Sequence, residues 1–123
     1  MKIIKIIVPM EPIAKARPRL GKHGVFTPTR TRKAEAFLKL HFNKYSPSDK
    51  PCSVDITFGC THKNKGLWGK AKSSRPDLDN LIKTVLDSMN GTLVKDDSQI
   101  YTITSRKIYS EVGRIEITLT FDE

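Results

Sequence analysis

The stretch from Ser73 to Gly91 reads "SSRPDLDNLIKTVLDSMNG" and decides the fold of this 123-residue chain. Its apolar residues recur at spacings of 3, 4, 7, 8 and 11 from the first, which is the pattern of one helical face. The six apolar positions are Leu78, Leu81, Ile82, Val85, Leu86 and Met89. An Asn-Gly pair follows, and such a pair ends a helix. The stretch therefore predicts an amphipathic helix that buries its apolar face against the rest of the domain.

Upstream of this helix, the pattern predicts two strands and a first helix. Ile3 to Val8 is almost entirely β-branched and predicts a buried strand. Thr29 is suited to cap a helix running from about Arg30 to Tyr45. Val54 to Cys60 alternates apolar and polar residues, which predicts a half-buried strand. The inner side of the first helix is expected to carry Ala34, Phe37, Leu38 and Phe42.

Downstream, two further strands are predicted. Ile100 to Tyr109 is one, and the strict alternation from Ile115 to Phe121 is the other. The short "SEVG" connection predicts that these two strands form a hairpin. The resulting order β-α-β-α-β-β predicts a single α+β domain over residues 1–123, with two main helices on a mixed or antiparallel sheet.

Charge is distributed unevenly along the chain. The net charge is +9, yet residues 1–76 hold 17 Lys and Arg against 4 Asp and Glu, whereas residues 77–123 hold 5 against 9. This asymmetry indicates a polyanionic partner, nucleic acid first and an acidic membrane surface second. The alternative is a solvated basic face without a partner. The basic residues concentrate in two irregular segments, 10–29 and 61–76, and the composition of the second predicts a loop that is mobile without a ligand.

The residues proposed to contact a nucleic acid lie in or beside these two segments. They are Lys15, Arg17, Arg19, Lys22, Arg30, Arg32, Lys70, Lys72, Arg75 and Trp68. Trp68 and Phe26 are aromatic residues in basic loops that contain Gly or Pro. Each can stack on a base of the DNA, and the alternative is that each folds back as a small hydrophobic anchor.

Several features argue for a cytoplasmic protein without a membrane segment. No apolar run approaches the roughly 20 residues that span a bilayer, and the N-terminus lacks the cleavage site of a signal peptide. Cys52 and Cys60 lie on one segment predicted to be extended, about 26 Å apart, so they are expected to be reduced thiols. A zinc site from these cysteines with His41 and His62 is disfavoured, because no CxxC or HxxxH spacing exists.

Against this basic background, a group of carboxylates stands out around the second helix. Asp77 falls at the helix start, and Asp79, Lys83 and Asp87 follow one exposed flank. Asp96 and Asp97 precede the next strand. Because a helix and the following strand usually pack as neighbours, we expect one of this pair to return to the helix start. Three carboxylates in one place repel one another, and a Mg²⁺ ion removes that penalty. Such a site can activate a water to attack a phosphodiester.

Each of these residues also has an ordinary structural explanation. Asp77 can be a helix N-cap, and Asp79 with Lys83 can be an i,i+4 ion pair. Asp87 can pair with Lys83 on the surface, and Asp96-Asp97 can be a turn. From the residues alone, a metal-dependent nuclease and a non-catalytic DNA-binding module both remain open.

The motifs resemble a known family. "RPDLDNLIKTVLDSMNG" followed by "KDDSQI", together with "KARPR" and "FTPTRTRKAE", is similar to the RusA family of Holliday junction resolvases, in its bacterial and prophage members. The resemblance implies a homodimer that nicks four-way DNA junctions symmetrically with Mg²⁺, or Mn²⁺ in its place, and no small-molecule cofactor. A related nuclease acting on flaps or single strands is the alternative within this class.

The resemblance also assigns roles to individual residues. It implies that Asp77, Asp79 and Asp97 hold the metal and that Lys83 acts in catalysis. Asp96 and Asp87 are accessory candidates. One departure is Pro76, which stands where some members of the family have an arginine, and Arg75 lies one residue earlier.

Overall fold

The computed structural model describes residues 1–16, 19–21, 24–26 and 28–122, with the backbone alone at 19, 20, 25 and 26. Two helices and a four-stranded mixed sheet form an α+β domain whose main elements follow the predicted order, which confirms that expectation. A small hairpin, β2 and β3, lies within the segment predicted to be irregular. The elements are β1 Lys2–Val8, β2 Arg19–Gly21, β3 Gly24–Phe26, α1 Thr29–Phe42, β4 Cys52–Thr61, α2 Leu78–Met89, β5 Ile100–Ser110 and β6 Arg114–Phe121, with 3₁₀ turns at Lys65–Leu67 and Asp97–Gln99.

The strand order in the large sheet is β1-β6-β4-β5. β4 pairs antiparallel with β6 and parallel with β5, so the predicted β5–β6 hairpin is wrong. The chain instead steps from β5 to β6 across the end of β4. Gly59 lies under this step, where an added Cβ would stand 3.1 Å from both the Ser110 Cβ and the Arg114 Cγ. A small residue therefore lets the connection pass over the strand.

The parallel pairing of β4 and β5 requires a crossover connection, and α2 supplies it. The helix begins beside the later part of β5, where the Lys107 Nζ donates to the carbonyl oxygens of Ser74 and Pro76, both at 2.6 Å. It ends beside the start of β5, where the Asp97 amide donates to the Asn90 Oδ1 at 2.7 Å. The helix therefore runs opposite to the two strands that it connects.

The core lies between the sheet and the two helices, which pack on the same face. Leu81, Val85 and Met89 of α2 are completely buried, while the other three apolar positions of its predicted face are partly buried against the same cluster. Full burial of such side chains contributes about 1.5–3 kcal/mol each. The sheet side of this core comes from alternate residues of three strands, Ile4, Ile6, Val8, Val54, Ile56, Phe58, Ile115, Ile117, Leu119 and Phe121.

Three local predictions need correction. Phe37 is exposed rather than inward-facing, and Thr31 takes a buried place on α1. Ile3 and Ile7 are exposed because β1 is an edge strand with only one covered face. The N-cap position of α1 is Pro28, without a side-chain capping bond, and the helix ends at Phe42. Within the described residues, no helix is long and apolar enough to cross a membrane.

Lys15 ties the segment after β1 to both helices. Its Nζ lies 3.1 Å from the Glu35 Oε2 on α1 and 3.2 Å from the Asp87 Oδ2 on α2. Its amide donates to the Asn80 carbonyl at 2.8 Å. Burial alone would lower the pKa of Lys15, but the hydrogen bonds and charges of Glu35 and Asp87 outweigh it and raise the pKa. Lys15 is thus a charged clamp within the fold.

Replacing Lys15 with Met should lower the free energy of unfolding by about 1–2 kcal/mol, because two partly buried carboxylates lose their shared cation. Urea denaturation monitored by circular dichroism measures the change. Lys39→Met is the matched control, since Lys39 is an exposed residue of α1 whose side chain has no partner among the described residues. Equal stability of the two variants would contradict the clamp.

The two cysteines provide a second test of the fold. Both lie on β4, are free and are buried, and burial raises the pKa of the Cys52 thiol to about 11 and that of Cys60 above its ordinary value. Only the thiolate reacts rapidly. Native protein at about pH 8 should therefore leave both thiols unmodified by Ellman's reagent, whereas protein unfolded in guanidinium chloride should release two equivalents. Rapid reaction of native protein would show that β4 is not enclosed.

Candidate active site

Asp77 and Asp79 lie at the start of α2 with their carboxylates largely free. Asp77 occupies the N-cap position in an extended conformation, yet its side chain makes no capping hydrogen bond. No other partner for this carboxylate is present among the described residues. The Asp79 Oδ1 accepts the amide of Asn80 at 2.9 Å. The capping explanation therefore does not account for the side chain of Asp77.

Lys83 lies one turn beyond Asp79 on the exposed flank of α2. It pairs with Asp87, at 3.6 Å between Nζ and Oδ1, rather than with Asp79. Its side chain remains 61% exposed, and Asp87 is shared with Lys15. The surface-pair explanation thus fits Lys83 with Asp87. The exposed ammonium group remains accessible to a phosphate near Asp79.

Asp96 and Asp97 have different surroundings although they are adjacent. The Asp96 carboxylate and the Gln99 side chain form a capping box for the 3₁₀ turn that follows. Hydrogen bonds from Ser98, through its side chain and its amide, lower the pKa of Asp96. The carboxylate of Asp97, in contrast, has no partner within the described part of the chain. Asp96 is therefore a structural cap, and Asp97 is the member of the pair that is free to bind a ligand.

The structure does not bring Asp97 to the start of α2. The bond from its amide to Asn90 places it at the opposite end of the helix. Twelve helical residues separate the two ends by about 18 Å. Accordingly, no group of three His, Cys, Asp or Glu side chains in the described ranges could hold a metal ion. The strand after the helix does pack beside it, as expected, but in a parallel crossover its beginning meets the helix end.

Lys107 is a residue of this region that the sequence did not single out. Its two short hydrogen bonds, to the Ser74 and Pro76 carbonyls, fix the turn immediately before Asp77. The Arg75–Pro76 peptide bond within this turn is cis. Lysines are common in exposed strands, so no pattern in the sequence distinguishes this one. Its role appears only from the proximity of β5 to the start of α2.

An open cleft of about 640 Å³ adjoins Asp77. One wall is the extended segment from Glu11 to Ala16, the second is the start of α1, and the third is the turn from Arg75 into α2. Arg30 and Arg75 both line it, and neither has an ion-pair partner among the described residues. The cleft therefore places two cations next to a free carboxylate.

The remaining candidates for DNA contact fall into three groups. Arg17 and Lys22 lie outside the described residues, as do the side chains of Arg19 and Phe26. Lys15 is engaged by two carboxylates and is only 18% exposed. Three cations lie at the surface: Arg32 and Lys70 are exposed, and Lys72 is half-buried with its Nζ 5.1 Å from the centre of the Tyr109 ring.

The basic loop with Trp68, predicted to be mobile without a ligand, is hydrogen-bonded to the end of β5. The Gly69 amide donates to the Tyr109 carbonyl at 2.8 Å, and the Tyr109 amide donates to the Lys70 carbonyl at 3.0 Å. Trp68 is half-buried, and its Nε1 donates to the His62 carbonyl at 2.8 Å. Trp68 therefore anchors the loop, and part of its surface remains accessible to solvent.

Comparison with known proteins agrees with the motifs around this site. The profile of the family described as endodeoxyribonuclease RusA matches residues 9–120. A stretch of 71 residues, 57% of this chain, is 42% identical to the crossover junction endodeoxyribonuclease rusA of Lactococcus phage r1t and spans 54% of that protein, about half of its length. The uncharacterized protein YqaN of Bacillus subtilis (strain 168) is 28% identical over 97% of this chain and 96% of its own length. The match over most of the chain confirms the resemblance seen in the DLDN and KDDSQI motifs: the protein belongs to the RusA family of endodeoxyribonucleases.

Proposed function

We propose that the protein is a crossover junction endodeoxyribonuclease that hydrolyses phosphodiester bonds in four-way DNA junctions by paired, symmetric nicks. The observation that carries the proposal is the free carboxylate of Asp77 beside two unpaired arginines, within the motif of a family of DNA-cutting enzymes. The name of the phage relative supports the junction as the substrate. The basic half of the chain would hold the phosphates of the DNA.

The free carboxylates fit a hard divalent cation, Mg²⁺ or Mn²⁺, because such ions prefer oxygen ligands. Asp77 and Asp79 would supply two of the ligands from the start of α2. A bound cation would contribute Lewis acidity at the phosphoryl oxygen and a lower pKa for an attacking water. Lys83, one turn further along the same flank, would stabilise negative charge that develops on the phosphate.

The length of α2 implies that one chain does not supply all three carboxylates to a single ion. We therefore propose that the protein acts as a twofold homodimer in which Asp97 of the partner subunit completes the ligand set at Asp77 and Asp79. A twofold axis would create two such sites at once, as paired nicks in a symmetric junction require. Each site would then depend on the dimer.

The sheet limits where two protomers can pair. β4 has strands on both sides, so it offers no edge for pairing with a second protomer. β1 is an edge strand whose outer face exposes Ile3 and Ile7. The first half of β5 is the other open edge, with Tyr101 and Ile103 exposed.

Substitution of Asp77, Asp79 or Asp97 by Asn should reduce junction cleavage about 100-fold or more, as loss of a key electrostatic group does. Binding should persist, because removing negative charge does not weaken attraction to phosphate. Asp96→Asn is the matched control, since Asn also caps a helical turn and cleavage should stay near the wild-type rate. A labelled four-way junction is compared with linear duplex and flap DNA, in Mg²⁺ and in EDTA.

Two outcomes of this assay would contradict the proposal. Binding of the junction without any nicking in Mg²⁺ or Mn²⁺ would indicate a non-catalytic DNA-binding module. Preferential cleavage of flap DNA would indicate a nuclease for other branched substrates.

Mixing the Asp77→Asn and Asp97→Asn proteins tests the shared site. If each site combines Asp77 of one protomer with Asp97 of the other, a mixed dimer holds one site with both substitutions and one intact site. The mixture should then nick one junction strand although each parent is inactive. If all ligands come from one chain, no intact site can form and the mixture stays inactive. Sedimentation of the wild-type protein, with about twice the chain mass expected for a dimer, is the accompanying measurement.

A further inference from the structure

We propose that the cleft beside Asp77 is a nucleotide subsite that takes one unstacked nucleotide adjoining the scissile phosphate and contributes to the choice of the cleavage position. The inference rests on the proposed function and extends it from the metal-binding carboxylates to a separate surface. That surface is formed by the Glu11–Ala16 segment, the start of α1 and the turn before α2.

The size and openness to solvent of the cleft suit such a ligand. Its volume of about 640 Å³ lies within the range of small-molecule sites in proteins. Asp77 lines the same cleft, so a nucleotide bound there is a direct neighbour of a phosphate at the candidate metal ligands. An intact duplex is far wider than such a cleft, whereas a nucleotide splayed from the branch point of a junction can enter it.

The charges in the cleft favour an anion. Some cations of the domain have carboxylate partners: Lys15 binds Glu35 and Asp87, and Arg106 binds Asp55. Arg30 and Arg75 have none within the described residues, although both line the cleft. Two guanidinium groups without a partner in the described ranges can hold the phosphate of a nucleotide by charge-assisted hydrogen bonds.

The remaining lining suits a base. Ile13, Pro28 and Pro76 are only partly buried and present flat or branched apolar surfaces on which a base can pack. Asn80 also lines the cleft, and its side-chain amide has no partner among the described residues. A carboxamide offers a donor and an acceptor to the edge of a base. Asn80 is therefore the residue positioned to distinguish one base from another.

All three walls are fixed before any ligand binds. The first is held by Lys15, and by the Glu11 carboxylate, which accepts hydrogen bonds from the amide and the hydroxyl of Thr61. The Ala16 amide donates to the Thr31 Oγ1 at 3.3 Å, and this hydrogen bond joins the first wall to the second. Lys107 holds the third. A preformed cleft binds a nucleotide with little loss of conformational entropy in the protein.

The test is single-turnover cleavage of four-way junctions that each carry one abasic residue in the cut strand. The abasic residue replaces, in turn, each of the two nucleotides before the cut and each of the two nucleotides after it. Wild-type protein should lose about tenfold or more in rate at one of these positions, as expected when base packing is removed. The same abasic residue in the uncut strand should have little effect. The cleavage rate of wild-type protein should also depend on which of the four natural bases stands at the sensitive position. Asn80→Ala should reduce these differences in rate.

Arg30→Gln and Arg32→Gln form a matched pair, because they remove the same charge two positions apart on α1 and only Arg30 lines the cleft. Arg30→Gln should slow cleavage of the intact junction and abolish most of the position-specific abasic penalty, whereas Arg32→Gln should keep that penalty. Arg75→Gln should behave as Arg30→Gln does. Circular dichroism and thermal melting confirm that each variant is folded.

The outcomes separate the two levels of the proposal. Two results would contradict the nucleotide subsite and leave the proposed function standing. In the first, wild-type protein cuts the intact junction and cuts every abasic junction at the same rate. In the second, Arg30→Gln and Arg32→Gln keep the abasic penalty equally. If wild-type protein does not cut the intact junction, the proposed function falls and the subsite falls with it.

Discussion

Parallel pairing of β4 with β5 is the constraint on which the rest of this structure depends. Adjacent parallel strands cannot be joined by a tight turn, so the chain must leave the end of β4, cross the sheet and return to the beginning of β5. The crossover contains the basic loop and α2, and its apolar face closes the core against β4 and β6. The same pairing makes β4 an interior strand and forces the β5–β6 connection over Gly59.

The crossover also decides which residues can act together. Because α2 runs opposite to the strands, its start lies beside Lys107, late in β5, and its end lies beside Asp97, just before β5. The free carboxylates of the DLDN motif and of the KDDSQI motif are thereby held a helix length apart in one chain. In the proposed homodimer, twofold association would resolve this separation without any change in the fold, and it would couple assembly of the metal site to formation of the dimer.

The cations divide into those that hold the domain together and those available to a ligand. Lys15 and Lys107 are used internally, the first between two carboxylates and the second between two carbonyl groups. Both fix walls of the cleft in which Arg30 and Arg75 remain unpaired. The structural cations thus fix the surface on which the unpaired arginines can bind a phosphate. The net charge of the chain does not distinguish these two classes of cation.

The sequence by itself determined the amphipathic face of α2, the alternation in β6 and the family motifs, because these depend on local periodicity and on residues close together in the chain. It also identified Asp77, Asp79 and Asp97 as candidates, but not the capping role of Asp96 or the burial of Lys15. Only the tertiary structure decided that β4 separates β5 from β6, that Lys15 is a clamp and that Asp97 lies far from Asp77. These features depend on contacts between residues that are distant in the sequence. Such contacts set the order of the strands, the partners of an ion pair and the end of α2 beside which Asp97 lies. Local patterns in the chain do not encode these contacts.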